Sequence, residues 1–168
     1  ERNSYKQIVN NNSELLLQLI NDILDLALIE SEQFRVELAE ENLSQQIQLA
    51  FNSCKVSKLN SLSKDLTYKL RLPDASHYIN TDALRFRQIL LNLIDNAIKY
   101  TERGTIEIGY FIEKNRAVIF VKDTGIGIEQ EQQTRIFDRF TKIESPGTRL
   151  YRGIGLGLAI VKRIATMP

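Results

Sequence analysis

Between Gln88 and Thr101 the sequence reads QILLNLIDNAIKYT, and its polar and apolar residues separate with helical spacing. At about 100° per residue, Asn92, Asn96, Lys99 and Tyr100 fall within an arc of roughly 100°, with Leu90, Leu93, Ile94, Ala97 and Ile98 on the opposite side. One side is core and the other has the character of a site. Asparagine is a poor helix former because its short amide competes for backbone hydrogen bonds, so two of them at i and i+4 are hard to explain by helix stability. A bound ligand would explain them; the alternative is the solvated edge of an ordinary amphipathic helix.

Two glycine-bearing stretches follow. In VKDTGIGI, residues 121–128, Asp123 leaves the end of a predicted strand, and Gly125 and Gly127 allow positive φ or close approach to a ligand. A carboxylate fixed there accepts a hydrogen bond from an amine, although Asp-Thr-Gly also makes a good turn. In GIGLGLAIVKRIA, residues 153–165, Gly153, Gly155 and Gly157 lead into an amphipathic helix, whose N-terminal N–H groups and dipole favour phosphate. The spacing is neither a Rossmann fingerprint nor a P-loop. Between them, residues 136–152 carry an apolar anchor at Phe137 and Phe140, then a polar segment with Arg149 and Arg152. That segment reads as a lid.

The elements that must position these groups follow from periodicity. Tyr5 to Phe34 contains no Gly or Pro, and Leu16, Leu19, Ile20, Ile23, Leu26 and Ala27 recur with helical spacing, so one long helix is predicted. Further leucines at 15, 17, 24 and 28 widen its apolar stripe, and no partner helix is evident in the chain. This suggests a bundle completed by a second copy or by a helix upstream of Glu1. A domain boundary is placed after Phe34, dividing the arm, 1–34, from 35–168. Phe34, Val36 and Leu38 alternate as a short strand; Ser44 can cap a helix through Ile47, Ala50, Phe51 and Cys54; Leu66, Tyr68, Leu70 and Leu72 alternate as a second strand. Thr81 or Asp82 then caps the asparagine helix, and Gly104 is its expected C-terminal breaker. Ile106 to Ile112 and Val118 to Val121, joined by the polar run Glu113 to Arg116, read as a hairpin. The fold class is therefore α+β, a mixed sheet with helices on one face behind an N-terminal helical arm.

Composition excludes several classes. The 168 residues are 43% hydrophobic and 26% charged with a net charge of +1, which argues neither for nucleic acid nor for a membrane surface. No apolar run approaches the roughly 20 residues of a membrane span. A single cysteine, Cys54, rules out disulfides and a thiolate cluster, and the single histidine, His77, is read as a loop residue with no metal-ligating neighbour.

The order of these parts, an asparagine-bearing helix, DTGIGI, Ile-Phe-x-x-Phe and a glycine-rich helix start, resembles the N, G1, F and G2 boxes of the two-component sensor histidine kinases. QLINDILDLALIESEQF in the arm resembles the second helix of that family's dimerisation and histidine-phosphotransfer domain. The resemblance implies the two-layer ATP-binding α/β sandwich shared with gyrase-type ATPases, preceded by a long dimerisation helix. It implies a cytoplasmic segment that binds ATP and Mg²⁺, dimerises through the arm, and serves a response-regulator receiver domain, with any membrane attachment through segments other than this one. Carried onto matching positions, Asn96 would ligate Mg²⁺ with Asn92 in support, Lys99 would meet phosphate, and Tyr100 would lie against adenine. Asp123 would accept from the adenine amino group, with Gly125, Gly127 and Ile128 shaping the pocket. Arg152, Gly153, Gly155, Leu156 and Gly157 would line the phosphates beneath the lid, and Arg149 is a further phosphate candidate.

The family's phosphoacceptor histidine with its acidic neighbour is absent from the chain, so the acceptor is expected upstream of Glu1, and the family's final strands are expected beyond Pro168. Two rival readings follow from the same resemblance. A gyrase-like hydrolase would carry a water-activating Glu four residues before the metal asparagine, where this chain has Asn92. A scaffold module would keep the arm but have no reason to keep Asn96, Lys99, Asp123 and the glycines together.

Overall fold

The computed structural model describes residues 2–30, 36–58, 65–141 and 155–166. They fall into two compact units, Val36–Gln130 on the one hand and Glu1–Arg35 with Glu131–Pro168 on the other.

The first unit is built around β4 (Arg103–Glu113), which lies between β2 (Asp65–Arg71), parallel to it, and β5 (Arg116–Asp123), antiparallel to it. Register pairs Tyr68 with Ile106, Leu70 with Ile108, Val121 with Ile108 and Ile119 with Tyr110. Because side chains alternate across a strand, this register gathers Leu66, Tyr68, Leu70, Ile106, Ile108, Tyr110, Ala117, Ile119 and Val121 on one face. Two helices, α2 (Leu43–Lys58) and α3 (Ala83–Tyr100), close that face through Leu43, Ile47, Ala50 and Phe51 and through Leu90, Ile94, Ala97 and Ile98. Burying each such Leu or Ile contributes on the order of 1.5–3 kcal/mol over leaving it in water, which is what holds the two layers together. The opposite face carries polar groups, among them Arg71 paired with Glu107 at 3.2 Å. The architecture is the α+β sandwich with helices on one face that the periodicity predicts. The hairpin between β4 and β5 turns at Lys114 (φ 47°) and Asn115 (φ 63°), two left-handed residues as a type I′ turn requires.

A second, two-stranded antiparallel ladder joins β1 (Ala39–Asn42) to β3 (Tyr78–Thr81), a strand the sequence reading leaves as loop. The predicted strand at Phe34, Val36 and Leu38 is shifted. Val36 and Leu38 lie before β1 and are exposed, and Phe34 lies outside the described residues. The reason is the partner: β3 ends at Thr81, and the next residue, Asp82, caps α3 and accepts a hydrogen bond from Glu37 N at 3.2 Å, so no strand continues alongside. Asp82, rather than Thr81, caps α3 by accepting from Leu84 N and Arg85 N at 3.0 and 3.1 Å.

Asn42, not Ser44, caps α2, its side-chain oxygen accepting from Gln45 N at 3.0 Å. Ser44 is one residue inside the helix, and its hydroxyl lies 2.9 Å from the Tyr110 hydroxyl, which also meets His77 Nδ1 at 3.1 Å. This satisfies a phenol that is 1% exposed, and it gives His77 a packing role in its loop. The Cys54 side chain lies outside the described residues. Gly104 does not end α3. The helix stops at Tyr100, Thr101 turns extended (φ −107°, ψ 116°) while its N–H reaches Ala97 O, and Gly104 sits inside β4.

In the other unit, α1 (Arg2–Glu30) and α4 (Gly157–Ala165) pack together, with Leu26 of α1 and Ala159, Ile160, Val161 and Ile164 of α4 buried. No intramolecular neighbour for the arm is evident from the sequence, and α4 is one. It covers only part of the stripe, since Leu16, Ile20, Ile23, Leu24 and Leu28 remain exposed. Burial, helped by the neighbouring Asp25, raises the Asp22 carboxyl above its ordinary value. The folded state then holds this proton more tightly than the unfolded chain, and stability contributed here is lost as the pH rises from the ordinary value through the raised one.

Candidate functional site

α3 presents its polar arc as the sequence predicts. Asn92, Asn96, Lys99 and Tyr100 are all half-buried, while Leu90, Ile94, Ala97 and Ile98 on the other side belong to the core. The Lys99 ammonium lies 4.8 Å from the centre of the Tyr100 ring, held at the helix C-terminus, where the dipole favours a cation.

The DTGIGI loop docks on this helix end. β5 finishes at Asp123, whose Oδ1 accepts from Gly125 N at 2.8 Å, and Ile126 N then donates to Tyr100 O at 3.3 Å. A Cβ at Gly125 would stand 2.4 Å from Tyr100 O, so only glycine lets the loop approach the last turn of α3 this closely. Gly127 serves differently. Its φ is +70° with open space around it, so its need is conformational. Asp123 and Ile128 are exposed. The Asp123 carboxylate thus spends one oxygen on its own loop and, among the described residues, keeps a second available to a ligand amine.

Gly155, Leu156 and Gly157 belong to the arm-containing unit. Gly155 has φ +79°, and its carbonyl accepts from Phe140 N at 3.0 Å; a Cβ there would meet Thr141 O at 2.6 Å. Leu156 is buried and Gly157 opens α4. The apolar anchor is only half as predicted: Phe137 is half-buried beside Lys162, whereas Phe140 is 62% exposed with φ 59°. Its ring is thus not part of the interior of its unit. Arg149, Arg152 and Gly153, and with them most of the predicted lid, lie outside the described residues.

Among the described residues no group of three His, Cys, Asp or Glu side chains is arranged to hold a metal ion. The amide oxygen of a residue such as Asn96 is of the type that Mg²⁺ accepts when waters and substrate phosphates supply its other ligands. Thr124 and Thr105, which bind the loop to β4 through a pair of hydrogen bonds, escaped the sequence reading because nothing in a Thr-x-x spacing signals a pairing 19 residues apart.

Residues 81–167 match the family described as histidine kinase-, DNA gyrase B- and HSP90-like ATPase. The chain belongs to that family. The curated relatives it matches include histidine kinases of signal transduction. It is 35% identical over 164 residues to the circadian input-output histidine kinase CikA of Synechococcus elongatus, an alignment covering 97% of this chain and 22% of the relative. Among solved structures it is similar to full-length ShkA in complex with AMPPNP (TM-score 0.74, 28% identity, 96% of this chain and 33% of that one). It is also similar to the histidine kinase ThkA in complex with the response regulator protein TrrA (TM-score 0.65, 25% identity, 82% of this chain and 40% of that one). The chain spans between 8% and 22% of the length of the first curated relatives it matches.

Proposed function

We propose that this chain is the ATP-binding catalytic part of a sensor histidine kinase, holding Mg·ATP so that its γ-phosphate passes to a histidine supplied by another segment. The observation that carries this reading is the docking of the DTGIGI loop on the end of α3, which joins Asp123 to the helix bearing Asn92 and Asn96 through Gly125 and Ile126. In this reading Asp123 accepts from the adenine amino group, and Gly125, Gly127 and Ile128 shape the pocket. Tyr100 lies against the base, and Lys99 draws the phosphates. Asn96, with Asn92 beside it, would ligate Mg²⁺, and the ion would supply charge neutralisation of the triphosphate. Gly153, Gly155, Leu156 and Gly157, with Arg149 and Arg152, would line the phosphates. Catalysis then consists of aligning donor and acceptor for an in-line transfer and of neutralising charge.

His77, the one histidine of the sequence, has its Nδ1 against the Tyr110 hydroxyl and is assigned no part in transfer. From the acceptor the phosphoryl group would pass to a response-regulator aspartate. The complex of ThkA with a response regulator supports that partner, and the AMPPNP complex of ShkA supports an adenine nucleotide. Among the described residues no helix is long and apolar enough to cross a membrane, and we assign this segment to the cytoplasm, where ATP is available. Calorimetric titration of the chain with ATP and with GTP, each with Mg²⁺, tests the assignment of the base: ATP should bind at least about tenfold more tightly, a difference of ~1.4 kcal/mol, and equal affinities would refute it.

The arm is assigned to dimerisation on its exposed stripe, Leu16, Ile20, Ile23, Leu24 and Leu28, which an isolated helix pair with α4 leaves in water. Ile23→Glu sets a charge into that seam, and an uncompensated charge at a buried interface costs several kcal/mol. Sedimentation should show the parent as a dimer and the variant shifted to monomer. A parent that stays monomeric at high concentration would defeat this assignment for the chain.

A further inference from the structure

β4 and β5 run as a regular antiparallel ladder as far as the pair Ile106 and Asp123, and one residue further on the ladder changes character. Thr124 N still donates to Thr105 O at 3.2 Å, as a strand residue would, but Thr105 N donates to the Thr124 hydroxyl at 3.0 Å instead of to a backbone carbonyl. The side chain has replaced the main chain as acceptor, so the backbone is free to leave the sheet at this residue. It turns at once toward α3, where Ile126 N reaches Tyr100 O.

Space for that hydroxyl is kept by Gly104. A Cβ there would stand 2.0 Å from Thr124 Oγ1, and Gly104 has φ +133°, a conformation that disfavours any L side chain. The glycine therefore belongs to the clasp between β4 and the loop and not to the end of the helix.

We infer that Thr124 is a positioning residue for base selection: its hydroxyl, clasped by Thr105 N over Gly104, fixes the direction in which Asp123 leaves the sheet and so aims its second carboxylate oxygen at the base. The inference rests on the proposed role of Asp123. Valine has the shape of threonine without the acceptor, so Thr124→Val leaves the Thr105 N–H unpartnered and lets the loop swing, whereas Thr124→Ser keeps the hydroxyl. A neutral hydrogen bond of this kind corresponds to about two- to tenfold in an equilibrium constant.

The chain and its two variants are titrated calorimetrically with ATP and GTP, with and without Mg²⁺, and exchange of the Thr105 amide is followed by NMR. In Thr124→Val, ATP affinity should fall about three- to tenfold while GTP affinity changes little, so the ATP-to-GTP ratio shrinks. The Mg²⁺-dependent factor should be unchanged and Thr105 should lose exchange protection. Thr124→Ser should stay within about twofold of the parent in every reading. A parent that discriminates ATP from GTP while Thr124→Val keeps its ratio would overturn the inference alone, as would a serine variant that fails together with valine. A parent without discrimination would overturn both the inference and the adenine role of Asp123.

Discussion

Asn96→Ala is expected to abolish most of the Mg²⁺-dependent part of nucleotide affinity while leaving metal-free binding near that of the parent. Asn96 stands half-buried on the polar arc of α3, and its neighbours at positions 94, 97 and 98 are core residues that fix the helix rotation. Removing the amide would take away the proposed oxygen ligand, and alanine is the better helix former, so the fold should persist or gain slightly. The expected loss in the presence of Mg²⁺ is at least about tenfold, or ~1.4 kcal/mol. Titration of ATP with magnesium and with a chelator, in parent and variant, reads the effect. If the variant lowers both affinities equally, Asn96 does not hold the metal.

Asp123→Asn is expected to have the largest effect on base selection. The carboxylate accepts from Gly125 N through Oδ1, and an asparagine oxygen preserves that bond, so the loop geometry survives the change. The second oxygen becomes an NH₂ group, which turns an acceptor toward the adenine amine into a donor and removes the charge. A hydrogen bond to a charged group is worth about 1.5–3 kcal/mol, which predicts a loss of roughly tenfold to a hundredfold in ATP affinity with little loss for GTP. Competition between the two nucleotides on the variant checks it. An unchanged preference would place the base elsewhere.

Much of this site is legible without coordinates because the residues obey simple periods. The helical arc of Asn92, Asn96 and Lys99 against Leu90, Ile94 and Ile98 survives intact, since a 3.6-residue period in a strongly apolar helix leaves the backbone few alternatives. The hairpin and the α+β layering were readable for the same reason, from alternation in β4 and β5. What was not legible depends on partners distant in sequence. β3 exists because Tyr78 to Thr81 pair with β1, about 40 residues earlier, and its alternation is too short to stand out. The cap of α2 is Asn42, while Ser44, inside the helix, meets Tyr110, 66 residues away. A glycine after a helix signals a cap, whereas the actual constraint on Gly104 is the Thr124 hydroxyl just beyond β5. Phe140 has the spacing to Phe137 of an anchor, yet it is exposed and its backbone is left-handed, a conformation that nothing in a phenylalanine signals.

The most direct measurement of the central assignment is phosphoryl transfer from γ-labelled ATP. The chain is incubated with labelled Mg·ATP alone and then with a separate polypeptide carrying the acceptor helix of a histidine kinase dimerisation domain. No stable label is expected on the chain itself, and an acid-labile, alkali-stable label is expected on the acceptor and is lost in Asn96→Ala. Label appearing on His77, or steady phosphate release that depends on Asn92 and ignores the acceptor, would contradict it.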